Sequence, residues 1–249
     1  MTTTTPPLIF SPQRRKAAWR RSVARQGPDA ADFLARDMAD EVEERLGFMR
    51  HEPQRVLVIG DMTGALSDAF PDADLSRADP ATLDEENPFP RGGYDLIVSM
   101  NTLATVNDLP GALVHYRAAL AEGGLMIAQF VGLGSLQVLR SALLAADGER
   151  PAARIHPMVD VRGGAELLQR AGFRRQVADS RTLQVRYRHF DRLIADLRDQ
   201  GLANQLADTP PPLSRQSRAA AQAAFMDRAD TEGRVTEFFE IVTLTGWKS

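Results

Sequence analysis

The order of apolar runs along the chain predicts an α/β protein built on an open, mostly parallel, doubly wound sheet. Three observations lead there. RVLVIG, ending at Gly60, is a continuous apolar run of the kind buried on both faces of a parallel sheet. DLIVSM (Asp95 to Met100) and LMIAQFV (Leu125 to Val131) repeat that signal, and the helical pattern LPGALVHYRAAL stands between them, which makes a strand, helix, strand unit. The closing RVTEFFEIVTLTGW reads as a long strand, and the last strands are expected to form an antiparallel edge.

Taken in order, DAADFLARDMADEVEERLGFM carries Leu34, Met38, Val42 and Leu46 at four-residue spacing, an apolar stripe, with Asp29 placed to cap its start. Gly47 and Pro53 flank its end. Asp108, a short acceptor just before Pro110, opens the helix of LPGALVHYRAAL, and Gly123-Gly124 are expected to end it. SLQVLRSALLAA and GAELLQRAG, the latter closed by Gly172, read as helices; RRQVAD and TLQVRY follow as two strand candidates. A helix in FDRLIADLRDQG, a loop at Pro210 to Pro212 and a helix in SRQSRAAAQAAFMDRA complete the chain before the last strand.

A chain of 249 residues suits one large domain with a full core, which we place at residues 29–249. Residues 1–28 form a basic amino-terminal arm: Arg14, Arg15, Lys16, Arg20, Arg21 and Arg25 precede the first acid, Asp29. Such a segment reads as a solvated helix face or flexible arm, or as an arm that binds a phosphate or a partner, with a nucleic-acid modifier as the remotest alternative; its Arg-rich, acid-poor character also resembles an organelle transit peptide. The absence of cysteine excludes disulfides, thiolate metal sites and a cysteine nucleophile, and the four histidines are scattered without metal spacing. No apolar run approaches the roughly 20 residues of a membrane span. A net charge of -3 gives the whole chain no reason to seek nucleic acid.

In doubly wound sheets a ligand sits beyond the carboxyl ends of the strands, so the turn after the first strand is the place to look. There the chain reads Val58-Ile59-Gly60-Asp61-Met62-Thr63-Gly64. Gly60 and Gly64 suit a sharp bend that approaches a cofactor closely; an ordinary strand-to-helix turn has the same appearance. Asp79, in LSRADP, is the best carboxylate at the end of the next strand for ribose hydroxyls, with Asp74 behind it, and equally a turn aspartate before Pro80. Asn101, just past DLIVSM, lies at a third carboxyl end. No residue stands out as catalytic.

Length adds an expectation. A strand-helix-strand unit takes about 30 residues, and Gly60 to Tyr94 is too short for two of them. One edge of the sheet should be truncated, with ADPATLDEENPFPRGG blunting it through its prolines and acids.

The combination of FLARDMADEVEERL, DEENPF (Asp84 to Phe89) before YDLIVS, VNDLPGAL (Val106 to Leu113), LLQRAGF (Leu167 to Phe173), LQVRY (Leu183 to Tyr187), DLRDQGLAN and a terminal GWK resembles the class I methyltransferase-like family of the mitochondrial complex I assembly factor, of arginine hydroxylase type. That family is related to the malonyl-carrier-protein methyltransferases of biotin synthesis. The resemblance runs nearly end to end and implies a Rossmann-like class I methyltransferase fold, S-adenosylmethionine as cofactor with Gly60, Gly64, Asp79 and Asn101 around it, and a protein substrate or assembly partner. It implies a cytoplasmic location, or the mitochondrial matrix in a eukaryote. The departures fall at the cofactor end. Val58 and Met62 replace the turn's acid and middle glycine, Ala104-Thr105 stands where the family has His-Trp, and Gly132-Leu133-Gly134-Ser135 lacks the family's acid. Weak or absent binding of S-adenosylmethionine is therefore expected, in an enzyme with an eroded site or in a non-catalytic scaffold.

Overall fold

The computed structural model describes residues 8–249; the Thr- and Pro-rich start lies outside them. In chain order the elements are α1 (Pro12–Arg25), α2 (Phe33–Met49), β1 (Arg55–Ile59), β2 (Asp74–Ala78), β3 (Tyr94–Met100), α3 (Leu109–Ala119), β4 (Leu120–Val131), α4 (Gln137–Asp147), α5 (Val161–Arg170), β5 (Arg174–Tyr187), α6 (Phe190–Asp199), α7 (Arg215–Met226) and β6 (Val235–Trp247). The sheet runs β2-β1-β3-β4-β6-β5. β1 to β4 are parallel, and β6 is antiparallel to both its neighbours.

Alternation along β1 divides the core in two, because successive side chains leave a strand on opposite faces. Val56 and Val58 join Leu34, Met38 and Val42 of α2, Leu139 of α4, Leu193 of α6 and Phe225 of α7. Leu57 and Ile59 join Leu113 and Tyr116 of α3, Leu168 of α5, and Phe130. Helices on both faces make the sheet doubly wound, as the apolar runs predict.

The sheet is truncated where length requires it. Between Gly60 and Tyr94 the only strand is β2, five residues at the sheet edge, and no helix precedes or follows it. The passage expected to blunt that edge does something else. It returns across the lower face of β1, where Leu83 joins the core and Phe89 packs edge-on against Tyr116 at 5.1 Å between ring centroids. An apolar crossing segment has taken the place of a crossover helix.

Three local expectations need correction. Asp29 does not cap α2: it lies in a turn closed by the Ala30 amide on the Gly27 carbonyl, and Asp32 occupies the cap position. The first-turn amide of Leu34 takes a tertiary acceptor, Gln200 Oε1 at 2.9 Å, so no local side-chain cap is needed. Gly123-Gly124 do not end α3, which stops at Ala119; they lie inside β4, which begins at Leu120. RRQVAD and TLQVRY are one strand, β5, paired with β6 from Arg174 to Tyr187. Arg45 to Asp179 and Arg181 to Asp37 tie its polar middle to α2, which is why the turn-like residues between the two runs stay extended.

Candidate functional site

The carboxyl ends of β1 and β3 open on a cavity of about 50 Å³. α1 and α2 supply one wall (Arg15, Trp19, Leu34, Met38) and the end of α6 another (Asp199, Gln200, Gly201). Gly60 and Asn101 reach it; Gly64 and Asp79 do not, although Pro80 does.

The turn after β1 is organised by its own side chains. Asp61 accepts the Ala65 amide on Oδ1 at 2.9 Å and the Leu66 amide on Oδ2 at 3.0 Å. Gly60 has φ of 85°, a conformation that favours glycine. Its vacant side is filled by protein: a Cβ there would stand 2.3 Å from Thr102 Cγ2 and 2.4 Å from the Met100 carbonyl oxygen. Its glycine requirement therefore comes from the close approach of β1 to β3. Met62 turns toward α1, where its sulfur lies 3.3 Å from Gln26 Nε2.

Asp79 is committed to its own turn. Its Oδ1 accepts the amides of Ala81 at 2.7 Å and Thr82 at 3.0 Å, and its backbone amide donates to Thr82 Oγ1. Asn101 sits in the left-handed region, φ 58°, which asparagine tolerates better than most residues. Its backbone amide donates to the Gln129 carbonyl and its Oδ1 accepts the Val131 amide at 3.3 Å, so it ties the end of β3 to β4.

The strongest polar cluster was not legible as such in the sequence. Glu85 is fully buried, pairs with Arg15 of α1, and accepts Thr102 Oγ1 and Tyr116 Oη, each at 2.6 Å. Arg15 also donates to the Thr102 carbonyl and, through Nε, to Thr105 Oγ1 at 3.2 Å. Burial first, and then the charge of Glu85, pushes the Tyr116 phenol well above its usual pKa, so it remains a donor. α1 is held further by Ser22 Oγ on the Arg198 carbonyl and Arg25 Nε on Asp199. Asn107 clasps the chain ahead of α1, accepting the Ile9 and Phe10 amides at 2.8 Å. One sequence signal for this packing existed: Arg15, Ala18 and Ser22 share the buried face of α1, and two small residues on one helix face suggest close approach.

The charged walls are thus mostly spent on the protein itself. Asp199 serves Arg25 and the Ala31 amide, and Asp32 serves Arg36. One buried acceptor is left without a partner, Gln205 Oε1, while Nε2 of the same residue donates to the Gly201 carbonyl. Beyond β4, Glu240 of β6 supplies a carboxylate to the Gly134 amide at 2.7 Å, at the turn where the family's acid is not matched in sequence.

Parallel strands ordered β2-β1-β3-β4, an antiparallel pair completing the sheet, and a cavity beyond β1 and β3 under amino-terminal helices define a class I methyltransferase-type protein. The chain belongs to the methyltransferase-domain family, whose model matches residues 30–176. It is 33% identical over 165 residues to arginine-hydroxylase NDUFAF5, mitochondrial, of Rattus norvegicus, covering 65% of this chain and 48% of that protein. The chain thus spans about half the length of that relative. It is 26% identical over 269 residues to the malonyl-[acyl-carrier protein] O-methyltransferase of Laribacter hongkongensis, covering 94% of this chain and 89% of that one. Among solved structures, the N-methyltransferase NodS of Bradyrhizobium japonicum, in complex with S-adenosyl-L-homocysteine, superposes with a TM-score of 0.50 at 14% identity over 94% of this chain and 98% of that one. That likeness is one of fold.

Proposed function

We propose that this chain is a methyltransferase-fold protein with a degenerate S-adenosylmethionine site, acting through protein contacts as a scaffold or assembly factor. The observation that carries the reading is the filled turn after β1, where Thr102 and Met100 close the vacant side of Gly60. The residues do not fit the cofactor as a dinucleotide-type site holds its ligand: the glycine cradle at Gly60 is filled by Thr102 and Met100, and Asp79, outside the cavity, is bonded through Oδ1 within its own turn. Gly64 stands outside the cavity, and Asn101 is engaged by β4. No methyl-transfer step is therefore assigned to any side chain. In the names of the relatives, one acts on arginine and the other on a malonyl group borne by an acyl-carrier protein. A protein partner is the class the family resemblance implies, with respiratory complex I assembly as the setting. The location in this reading is the cytoplasm, or the mitochondrial matrix in a eukaryote; among the described residues no helix is long and apolar enough to cross a membrane.

Calorimetric titration of the purified protein with S-adenosylmethionine tests the reading. We expect no binding in the low micromolar range, and stoichiometric binding there would overturn it. The second reading, an enzyme with a weakened site, is favoured by the unpartnered Gln205 Oε1 at the cavity. Under that reading binding is weak and Gln205→Leu abolishes it.

A further inference from the structure

A second cavity, of about 280 Å³, lies between α4, α6 and the segments 154–158 and 202–204. The end of α6 stands between it and the first: Asp199 to Gly201 line one, Leu197, Arg198 and Leu202 the other. Its walls are apolar, with Leu139 and Leu143 from α4, Ile194 and Leu197 from α6, and Ile155 and Met158 from the covering segment.

Of the polar residues that line it, Arg154, His156, Arg198 and Asn204, only His156 is buried. It is 4% exposed, and its ring meets Phe10 edge-on at 5.5 Å between centroids. Nδ1 lies 3.2 Å from the Pro157 carbonyl oxygen, which can only accept, so the ring proton belongs on Nδ1. Nε2 is then a lone-pair acceptor, with no protein donor among the described residues. Burial, aided by the charge of Arg140, holds the imidazole below its ordinary pKa and so neutral. Of the two arginines at the cavity, Arg154 is tied to Asp147 and the Pro211 carbonyl. Arg198 is exposed, where water screens its charge. Neither prepares the cavity for an anion.

A lone acceptor in such walls holds water poorly, since a buried water needs two to four polar partners, and an apolar cavity of about 150 Å³ already takes benzene. We propose that this cavity binds a small, neutral, apolar molecule carrying one hydroxyl, of the phenol or alkanol class, with its O–H donating to His156 Nε2. The apolar body fills the leucine, isoleucine and methionine walls, and the hydroxyl satisfies the buried acceptor on His156.

The test is calorimetric titration of the full chain with p-cresol and with p-xylene, which replaces the hydroxyl by a methyl. We expect p-cresol to bind the unaltered protein and to lose about five- to tenfold in affinity in His156→Phe, the equivalent of one hydrogen bond. p-Xylene affinity should be unchanged by that substitution. Ile194→Trp, which fills the cavity, should abolish binding of both. Because His156→Phe could fail to fold, the same point is read in the unaltered protein from the histidine ¹⁵N spectrum: p-cresol shifts the His156 Nε2 resonance and p-xylene does not. No binding of either probe up to its solubility would overturn the proposal. So would equal weakening of both by a folded His156→Phe variant, or a Nε2 resonance indifferent to p-cresol.

Discussion

Glu85 has no access to solvent, and three side chains donate to its two oxygens: Arg15, Thr102 and Tyr116. A buried ion pair contributes little over an apolar pair of the same shape, yet breaking one half leaves a charge stranded. Glu85→Gln should therefore destabilise by about 3–5 kcal/mol. The triple replacement Arg15→Met, Glu85→Leu, Tyr116→Phe, which removes charges and hydroxyl together, should cost distinctly less. Urea unfolding of the two variants checks the order, and a triple variant weaker than the single one would show that the network itself supplies the stability. His156 gives a pH-dependent counterpart. Its pKa is depressed in the native state by burial, while in the unfolded chain it returns to ~6.5. Between those two values the unfolded chain binds a proton that the native chain does not, so stability falls as pH drops below ~6.5, with a slope of up to about 1.4 kcal/mol per unit. His156→Phe should flatten that limb. Asp147 acts lower on the scale: hydrogen bonds from Arg154 hold its carboxyl below the usual carboxylate range, and that stabilisation is lost as pH falls through the depressed value.

At the scale of single elements, capping and periodicity account for what was legible. Asp108 accepts the Gly111 amide at 2.9 Å with Pro110 in the first turn, as the sequence predicts. A Cβ at Gly111 would stand 2.2 Å from the same carboxylate, so the glycine is what allows the cap to sit so close. Asp108→Ala should cost about 1 kcal/mol, measured by thermal unfolding. Asp29 looked as suitable for α2, and failed because it lies in the Gly27–Ala30 turn and the helix starts only at Phe33, where the Leu34 amide is met by Gln200, 166 residues further on. β5 was split in two for the same kind of reason: its polar middle is held extended by arginine–aspartate pairs to α2 that local pattern cannot reveal. The site followed suit. Gly60 and Asn101 lie at the strand ends, where topology dictates that such positions fall. Arg15, Glu85 and Tyr116 form one cluster across three distant segments, and no spacing rule connects them.

For the molecule as a whole, the short sheet edge sets both its shape and its weak point. Loss of the crossover helices around β2 leaves that strand five residues long, with one hydrogen-bonded neighbour, Asp74 and Arg77 exposed, and Leu75 and Ser76 half-buried. A short edge bearing charges resists pairing with another chain, so the truncation carries its own protection. It also leaves one row of amides without sheet partners. The Asp74 amide donates to the Gln54 carbonyl, and direction alternates along a strand, so the Ser76 and Ala78 amides face β1 and those of Leu75 and Arg77 face away. Native-state hydrogen exchange should separate the two sets: Leu75 and Arg77 exchange fast, while Ser76 and Ala78 are protected with β1. The central strands β3 and β4, lined on both faces by buried residues, should exchange only near global unfolding. Equal protection of all four β2 amides would mean that another segment or a second copy covers the edge. The two sets then place the boundary of the cooperative core at β1, with the Leu83 and Phe89 crossing as the element that holds β2 to it.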